Sequence, residues 1–61
     1  MPANADLEVL QEADKALKNA KETRNVDAIE QTIKYWGQKI GWKNAAHMYY
    51  GISTPEKLKG I

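Results

Sequence analysis

The stretch VDAIEQTIKYWGQKIGW, residues 26–42, decides the fold of this chain. Its large apolar residues recur at alternating intervals of three and four positions, namely Val26, Ile29, Ile33, Trp36 and Ile40. These intervals match the 3.6-residue turn of an α-helix, so all five side chains fall on one face. The other face carries Asp27, Glu30, Gln31, Lys34 and Gln38. The pattern therefore predicts an amphipathic helix over 26–40, with Trp36 on its buried stripe.

A second amphipathic helix is predicted before this stretch, over residues 5–23. Its apolar stripe is rich in alanine and consists of Leu7, Val9, Leu10, Ala13, Ala16, Leu17 and Ala20. Asn4 or Asp6 can cap its first turn, because a short polar side chain accepts a hydrogen bond from the free backbone N–H groups there. Asn25 is expected to end this helix and to cap the next one. We expect the two helices to form an antiparallel hairpin.

Two shorter elements are predicted after the hairpin. Gly41 fits the position just after a helix, with Trp42 folding back onto the last turn. A short third helix over 43–50 then ends at Gly51, with Ile52 in the same fold-back role. We expect its buried face to hold Trp42, Ala45, Ala46 and Tyr49, with Lys43 and His47 opposite and Met48 and Tyr50 on the flanks. Thr54 or Ser53 can cap a terminal helical turn over 55–59.

The chain is therefore predicted to be one small all-α domain, residues 1–61. A chain this short buries only about 60% of the surface that it exposes when unfolded, so a small core gives a thin stability margin. There are no cysteines and there is one histidine, which leaves no disulfide and no zinc site. We expect no metal and no cofactor. Dimerisation is one way for such a chain to gain stability.

Charge and aromatic residues are unevenly distributed along the chain. Residues 1–30 carry seven acidic and four basic side chains, whereas residues 31–61 carry one acidic and five basic side chains, so a net charge of +1 hides an acidic half and a basic half. All five aromatic residues lie between Tyr35 and Tyr50. Large flat side chains beside cations are typical of binding surfaces and also of small cores, so this pattern alone does not separate the two.

We expect no catalytic activity from this chain. Ser53 is its only serine and is placed to cap a helix, and the neighbours of His47, the only histidine, supply no catalytic triad. The carboxylates Glu8 and Glu12 fall on a solvated helix face, which is a poor setting for general acid–base catalysis. The first residues lack the basic start and apolar segment of a signal peptide, and no run approaches the ~20 apolar residues of a transmembrane helix. We therefore expect a cytoplasmic protein without a membrane partner.

Residues 36–50 also resemble a helix-turn-helix motif in outline. Gly37 stands four residues before the turn glycine Gly41, with Trp36, Ile40 and Trp42 around them. A DNA-reading helix after this turn would present Lys43, Asn44, His47 and Tyr50. The second half contains no arginine, however, although arginine is the commonest reader of base edges. A helix-turn-helix-like nucleic-acid-binding protein is therefore an alternative hypothesis for the function, and not the favoured one.

The hypothesis that we favour is that the protein is a non-enzymatic binding or regulatory module, which docks a macromolecular partner through its aromatic, basic second half. A protein partner is the first expectation, and a self-associating structural subunit is a further alternative. The tyrosines that fall off the apolar stripes, together with nearby polar groups, give the candidate binding residues Tyr35, Lys39, Lys43, Asn44, His47 and Tyr50.

Overall fold

A computed structural model of the protein describes residues 6–60. They form four helices: α1 Leu7–Thr23, α2 Val26–Ile40, α3 Trp42–Tyr49 and α4 Pro55–Lys59. No strand occurs within this described range. The predicted all-α fold is confirmed, and the bounds of α2 are those that the sequence predicted.

Polar caps set the bounds of the first two helices. Asp6 Oδ1 accepts a hydrogen bond from the backbone N–H of Val9 at 3.0 Å, whereas Asn4, the other predicted cap, lies outside the described residues. Asn25 Oδ1 caps α2 by accepting from the N–H of Ala28 at 3.2 Å. The left-handed residue that ends α1 is Arg24, with φ of 58°, and not Asn25. Asn25 keeps an extended backbone, because that conformation aims its side chain at the first turn of α2.

The core lies where α1, α2 and α3 meet. It consists of Leu10, Ala13, Leu17, Ile40, Ala45 and Met48. Trp36 packs against this cluster while keeping part of its surface exposed, so its predicted burial is only partial. Val26 is 73% exposed, and its predicted place on the buried stripe is wrong. It is the first residue of α2, beside the short connection to α1, and it lies outside the core cluster.

The buried face of α3 differs from the predicted one. Ala45 and Met48 are buried, whereas Trp42 is 54% exposed and Tyr49 is half-buried. Small Ala45 and unbranched Met48 allow α3 to approach the alanine-rich side of α1 closely, which two large aromatic rings at that position would prevent. The side chain of Met48 therefore fills the core, and Trp42 lies at its edge.

The corner between α2 and α3 depends on two glycines. Gly41 is the single residue between the helices, and its φ of 96° is one that glycine adopts far more readily than other residues. Its N–H donates to the carbonyl of Gly37 at 3.0 Å. A Cβ atom on Gly37 would lie only 2.5 Å from Cε3 of the Trp42 ring. Trp42 therefore folds back onto the last turn of α2, as predicted, and α3 begins at Trp42 rather than at residue 43.

Backbone hydrogen bonds close the end of α3 and lead the chain into α4. The N–H of Ile52 donates to the His47 carbonyl at 2.8 Å, and the N–H of Gly51 donates to Met48, which is the Schellman arrangement. The backbone of Ile52 thus folds back as predicted, while its side chain is 63% exposed. Thr54 caps α4 by accepting from the N–H of Lys57 at 3.2 Å, and Leu58 packs against the core.

Candidate partner-binding surface

The structure divides the predicted binding residues between two sides of the molecule. The missing Cβ of Gly37 points at the Trp42 ring. Tyr35 lies two residues before Gly37 and Lys39 lies two residues after it, so each side chain leaves α2 about 160° away from that direction. Tyr35 and Lys39 therefore point away from the flank of α2 that Trp42 covers.

Tyr35 belongs to an open groove between α1 and α2. The groove has a volume of about 320 Å³ and is lined by Ala16, Ala28, Gln31, Thr32, Tyr35 and Trp36. The Tyr35 and Trp36 rings meet edge to face, with centroids 5.1 Å apart. The Nζ atom of Lys39 lies 4.8 Å from the centroid of the Tyr35 ring, a cation–π distance. Within the protein, Tyr35 thus already has an aromatic and a cationic neighbour.

The other predicted residues share the outer face of α3. Lys43, His47 and Tyr50 follow one another at intervals of four and three, so they lie on one side of the helix. Lys43 is exposed, His47 is half-buried and Tyr50 is 69% exposed. Trp42 and Ile52, which were predicted to fold back onto helix ends, extend this exposed set at either end of the helix. We call Trp42, Lys43, His47, Tyr50 and Ile52 the α3 surface.

A lysine from α1 contacts the last residue of α3, at one end of the α3 surface. Lys21 Nζ donates to the backbone carbonyl of Tyr49 at 3.2 Å and lies 5.1 Å from the Tyr49 ring centroid. That ring meets the Tyr50 ring edge to face at 5.1 Å. Neither Lys21 nor Tyr49 was predicted to lie near the binding residues. The pattern along α1 contains no signal for this contact, because the contact joins residues 28 positions apart in the sequence.

Asn44 has a local partner within the corner. Its Nδ2 atom donates to the backbone carbonyl of Ile40 at 2.7 Å, and the side chain is half-buried. The Ile40 carbonyl lies at the end of α2, where it has no acceptor role within the helix. Since its amide donor is used there, we leave Asn44 out of the α3 surface.

In the stretch of sequence that contains the α3 surface, lysines are present and acidic side chains are absent. No aspartate or glutamate occurs in the 25 residues from Gln31 to Pro55. Lys34 lies three residues before Gly37 and therefore on the flank of α2 that Trp42 covers. Lys34 and Lys43 are both exposed. The exposed aromatic rings are thus accompanied by lysines from α2 and α3, and by Lys21 from α1.

Other kinds of site find little support in the described part of the chain. Among residues 6–60, no three histidine, cysteine, aspartate or glutamate side chains come together as metal ligands would. No helix in that range has the length and apolar character needed to cross a membrane. No protein-family model, curated protein or solved structure matches the chain.

Proposed function

We propose that this chain is a non-enzymatic docking module that binds a protein partner through the α3 surface. The observation that carries the proposal is the exposure of large apolar side chains there. Trp42, Tyr50 and Ile52 are 54, 69 and 63% exposed, and they lie along one eight-residue helix and the turn that follows it. Exposed apolar side chains grouped in this way, with polar groups at their edge, are typical of interaction sites.

The residue types of the α3 surface support binding. Tryptophan and tyrosine supply most of the energy at many interfaces, because they bury a large area and have few rotatable bonds. Here the first lies against Gly37 and the second lies edge to face with Tyr49. Side chains that are already positioned lose less conformational entropy on binding, so more of the contact energy contributes to affinity.

The α1–α2 groove supports catalysis less well. It is open to solvent, and none of its lining residues is a cysteine, histidine, aspartate or glutamate. A general acid or base, or an activated nucleophile, depends on such groups or on a base placed beside a hydroxyl. We therefore keep the non-enzymatic proposal and assign the groove no chemistry.

The connection between α2 and α3 favours a protein partner over duplex DNA. Helix-turn-helix motifs join their two helices by a turn of about three or four residues. Here Gly41 alone joins the helices, and Trp42 fills the space beside Gly37. Lys39, another lysine of the 36–50 segment, projects from the other side of α2 and would not contribute to a duplex contact made by α3.

The proposal is tested by comparing two double variants. We expect Tyr50→Ala with Lys43→Ala to abolish capture of the partner while circular dichroism stays unchanged, because both side chains are exposed and lie outside the core. The matched control, Glu12→Ala with Lys15→Ala, changes two exposed residues of α1 and should leave capture intact.

Capture is measured by pull-down from the native host, identification by mass spectrometry and titration of the purified partner. Loss of the same partner in the α1 variant, with binding retained in the α3 variant, contradicts the proposal and moves the site to the acidic half.

A further inference from the structure

We infer that the segment bound by the α3 surface is acidic and carries at least one aromatic or large aliphatic side chain. This inference rests on the proposed function and specifies the chemistry of the partner. Its two parts come from two separate observations, the sign of the charge around the surface and the exposed rings within it.

The charge of the surface comes from three different helices. Lys34 of α2 lies on the flank that Trp42 covers, and Lys43 of α3 follows Trp42 directly. Lys21 of α1 lies at the other end of the surface, against Tyr49. Residues 31–55 contain no acidic side chain, so α3 itself supplies no carboxylate to offset Lys43. Such a field favours association with a segment of opposite charge.

The exposed apolar side chains indicate that the bound segment also carries an apolar side chain. Ile52 has no group that can form a hydrogen bond, and 63% of its surface is in contact with solvent. The Tyr50 ring meets the Tyr49 ring edge to face, and the residue is 69% exposed. A purely ionic ligand would leave this area exposed to water, whereas an aromatic or aliphatic side chain would cover it.

Nucleic acid fits these observations less well than an acidic peptide does. All cations at the surface are lysines, which do not form the paired hydrogen bonds that arginine makes with phosphates and base edges. One side of the Trp42 ring lies against Gly37, which leaves a single face for stacking with bases. Ile52 contributes nothing to stacking on bases.

A second copy of this chain also fits less well, because its acidic groups are interspersed with lysines. Asp14 of α1 forms an ion pair with Lys18 at 2.9 Å. Glu12 and Glu22 are each followed or preceded within three residues by a lysine of the same helix. These three acidic side chains of α1 thus form no continuous acidic face.

The test uses soluble polymers as probes for the isotope-labelled full chain. A random copolymer of glutamate and tyrosine is compared with poly-glutamate of equal charge and with single-stranded oligo-thymidine, by NMR titration. We expect the copolymer to shift the amide signals of Trp42, Lys43, His47 and Tyr50 and to bind about tenfold more tightly than poly-glutamate. Its affinity should fall as salt is raised, because the charges are exposed.

Charge-reversal variants locate the binding. Lys34→Glu with Lys43→Glu should remove most of the copolymer affinity, whereas Lys15→Glu with Lys18→Glu applies the same charge change to α1 and should have a much smaller effect. All four lysines are exposed, and circular dichroism checks that each variant folds.

The outcomes separate this inference from the proposed function. Failure of the copolymer to shift the α3 signals overturns the acidic partner, even where capture still depends on Tyr50 and Lys43. Equal affinity for copolymer and poly-glutamate overturns the apolar requirement. Tighter binding of oligo-thymidine at the same residues overturns the inference in favour of nucleic acid. The proposed function itself fails only if the Tyr50 and Lys43 variant still captures its partner.

Discussion

At the scale of single residues, Gly37 has the clearest consequence for the surface. A glycine inside a helix costs about 1 kcal/mol relative to alanine. Here it leaves room for the Trp42 ring, three atoms of which would lie 2.5, 2.7 and 2.8 Å from an added Cβ. The position of Trp42, and hence the start of the α3 surface, thus depends on the one buried glycine of α2.

A double-mutant cycle tests this contact. We expect Gly37→Ala to lower the free energy of unfolding by about 1–2 kcal/mol, because the displacement of Trp42 outweighs the better helix propensity of alanine. In a Trp42→Ala background the clash is absent, so the same change should raise the free energy of unfolding by up to about 1 kcal/mol. Urea unfolding of the four proteins gives both values. The same sign in both backgrounds would show that the ring does not depend on Gly37.

At the scale of elements, α3 is an eight-residue helix that owes its order to its two ends. A helix of this length is not stable alone in water. Its first turn has no side-chain cap and is fixed by Gly41 and by the packing of Trp42. Its last turn is closed by Gly51 and Ile52 and is held to α1 by Lys21. The Ala45 and Met48 side of the helix is buried, so its outer face is presented on a fixed support.

Removal of the charge of Lys21 should loosen the end of α3. Lys21→Met keeps an unbranched apolar stem but removes the hydrogen bond to the Tyr49 carbonyl and the cation beside its ring. We expect a loss of about 0.5–1 kcal/mol in the free energy of unfolding, because both contacts are solvent-exposed. Amide hydrogen exchange should rise most in the last turn of α3.

The control for this prediction is Lys15→Met, since Lys15 is exposed on the same helix. It should leave hydrogen exchange in α3 unchanged. Equal exchange in the two variants would mean that Lys21 does not fix the end of α3.

At the scale of the whole molecule, the solvent-accessible area is 4458 Å². An interface of standard size hides about 800 Å² on each partner, which here is between a fifth and a sixth of the surface. A ligand that binds only the folded state also stabilises it by mass action. Binding at the α3 surface is therefore expected to raise the stability of the domain, whose core cluster consists of six buried residues within the described range 6–60.

The solution mass distinguishes docking from self-association. If the α3 surface is kept for another protein, light scattering should give the monomer mass of 6.9 kDa at micromolar concentration. A stable dimer whose α3 amides are protected from hydrogen exchange would favour the self-associating subunit instead. Tyr50→Ala with Lys43→Ala would then be expected to restore the monomer.

The sequence alone determined the helices, because their signals are local. The spacing of Ile29, Ile33, Trp36 and Ile40 predicted α2 with its observed bounds, and Asn25 and Thr54 were predicted as caps. A cap or a periodic stripe involves residues within about one turn of each other, so neighbouring letters are sufficient to read it.

Only the tertiary structure decided which side of each helix is buried and which side is exposed. The prediction for α3 placed Trp42 inside and Met48 on the flank, whereas the rotation fixed by Gly41 and the close approach to α1 reverse the two. The packing of the helices also places Tyr35 and Tyr50 on different sides of the molecule. It brings Lys21 to Tyr49 across 28 positions of sequence. These relations depend on how side-chain volumes fill the space between helices, which residue spacing along one helix does not contain.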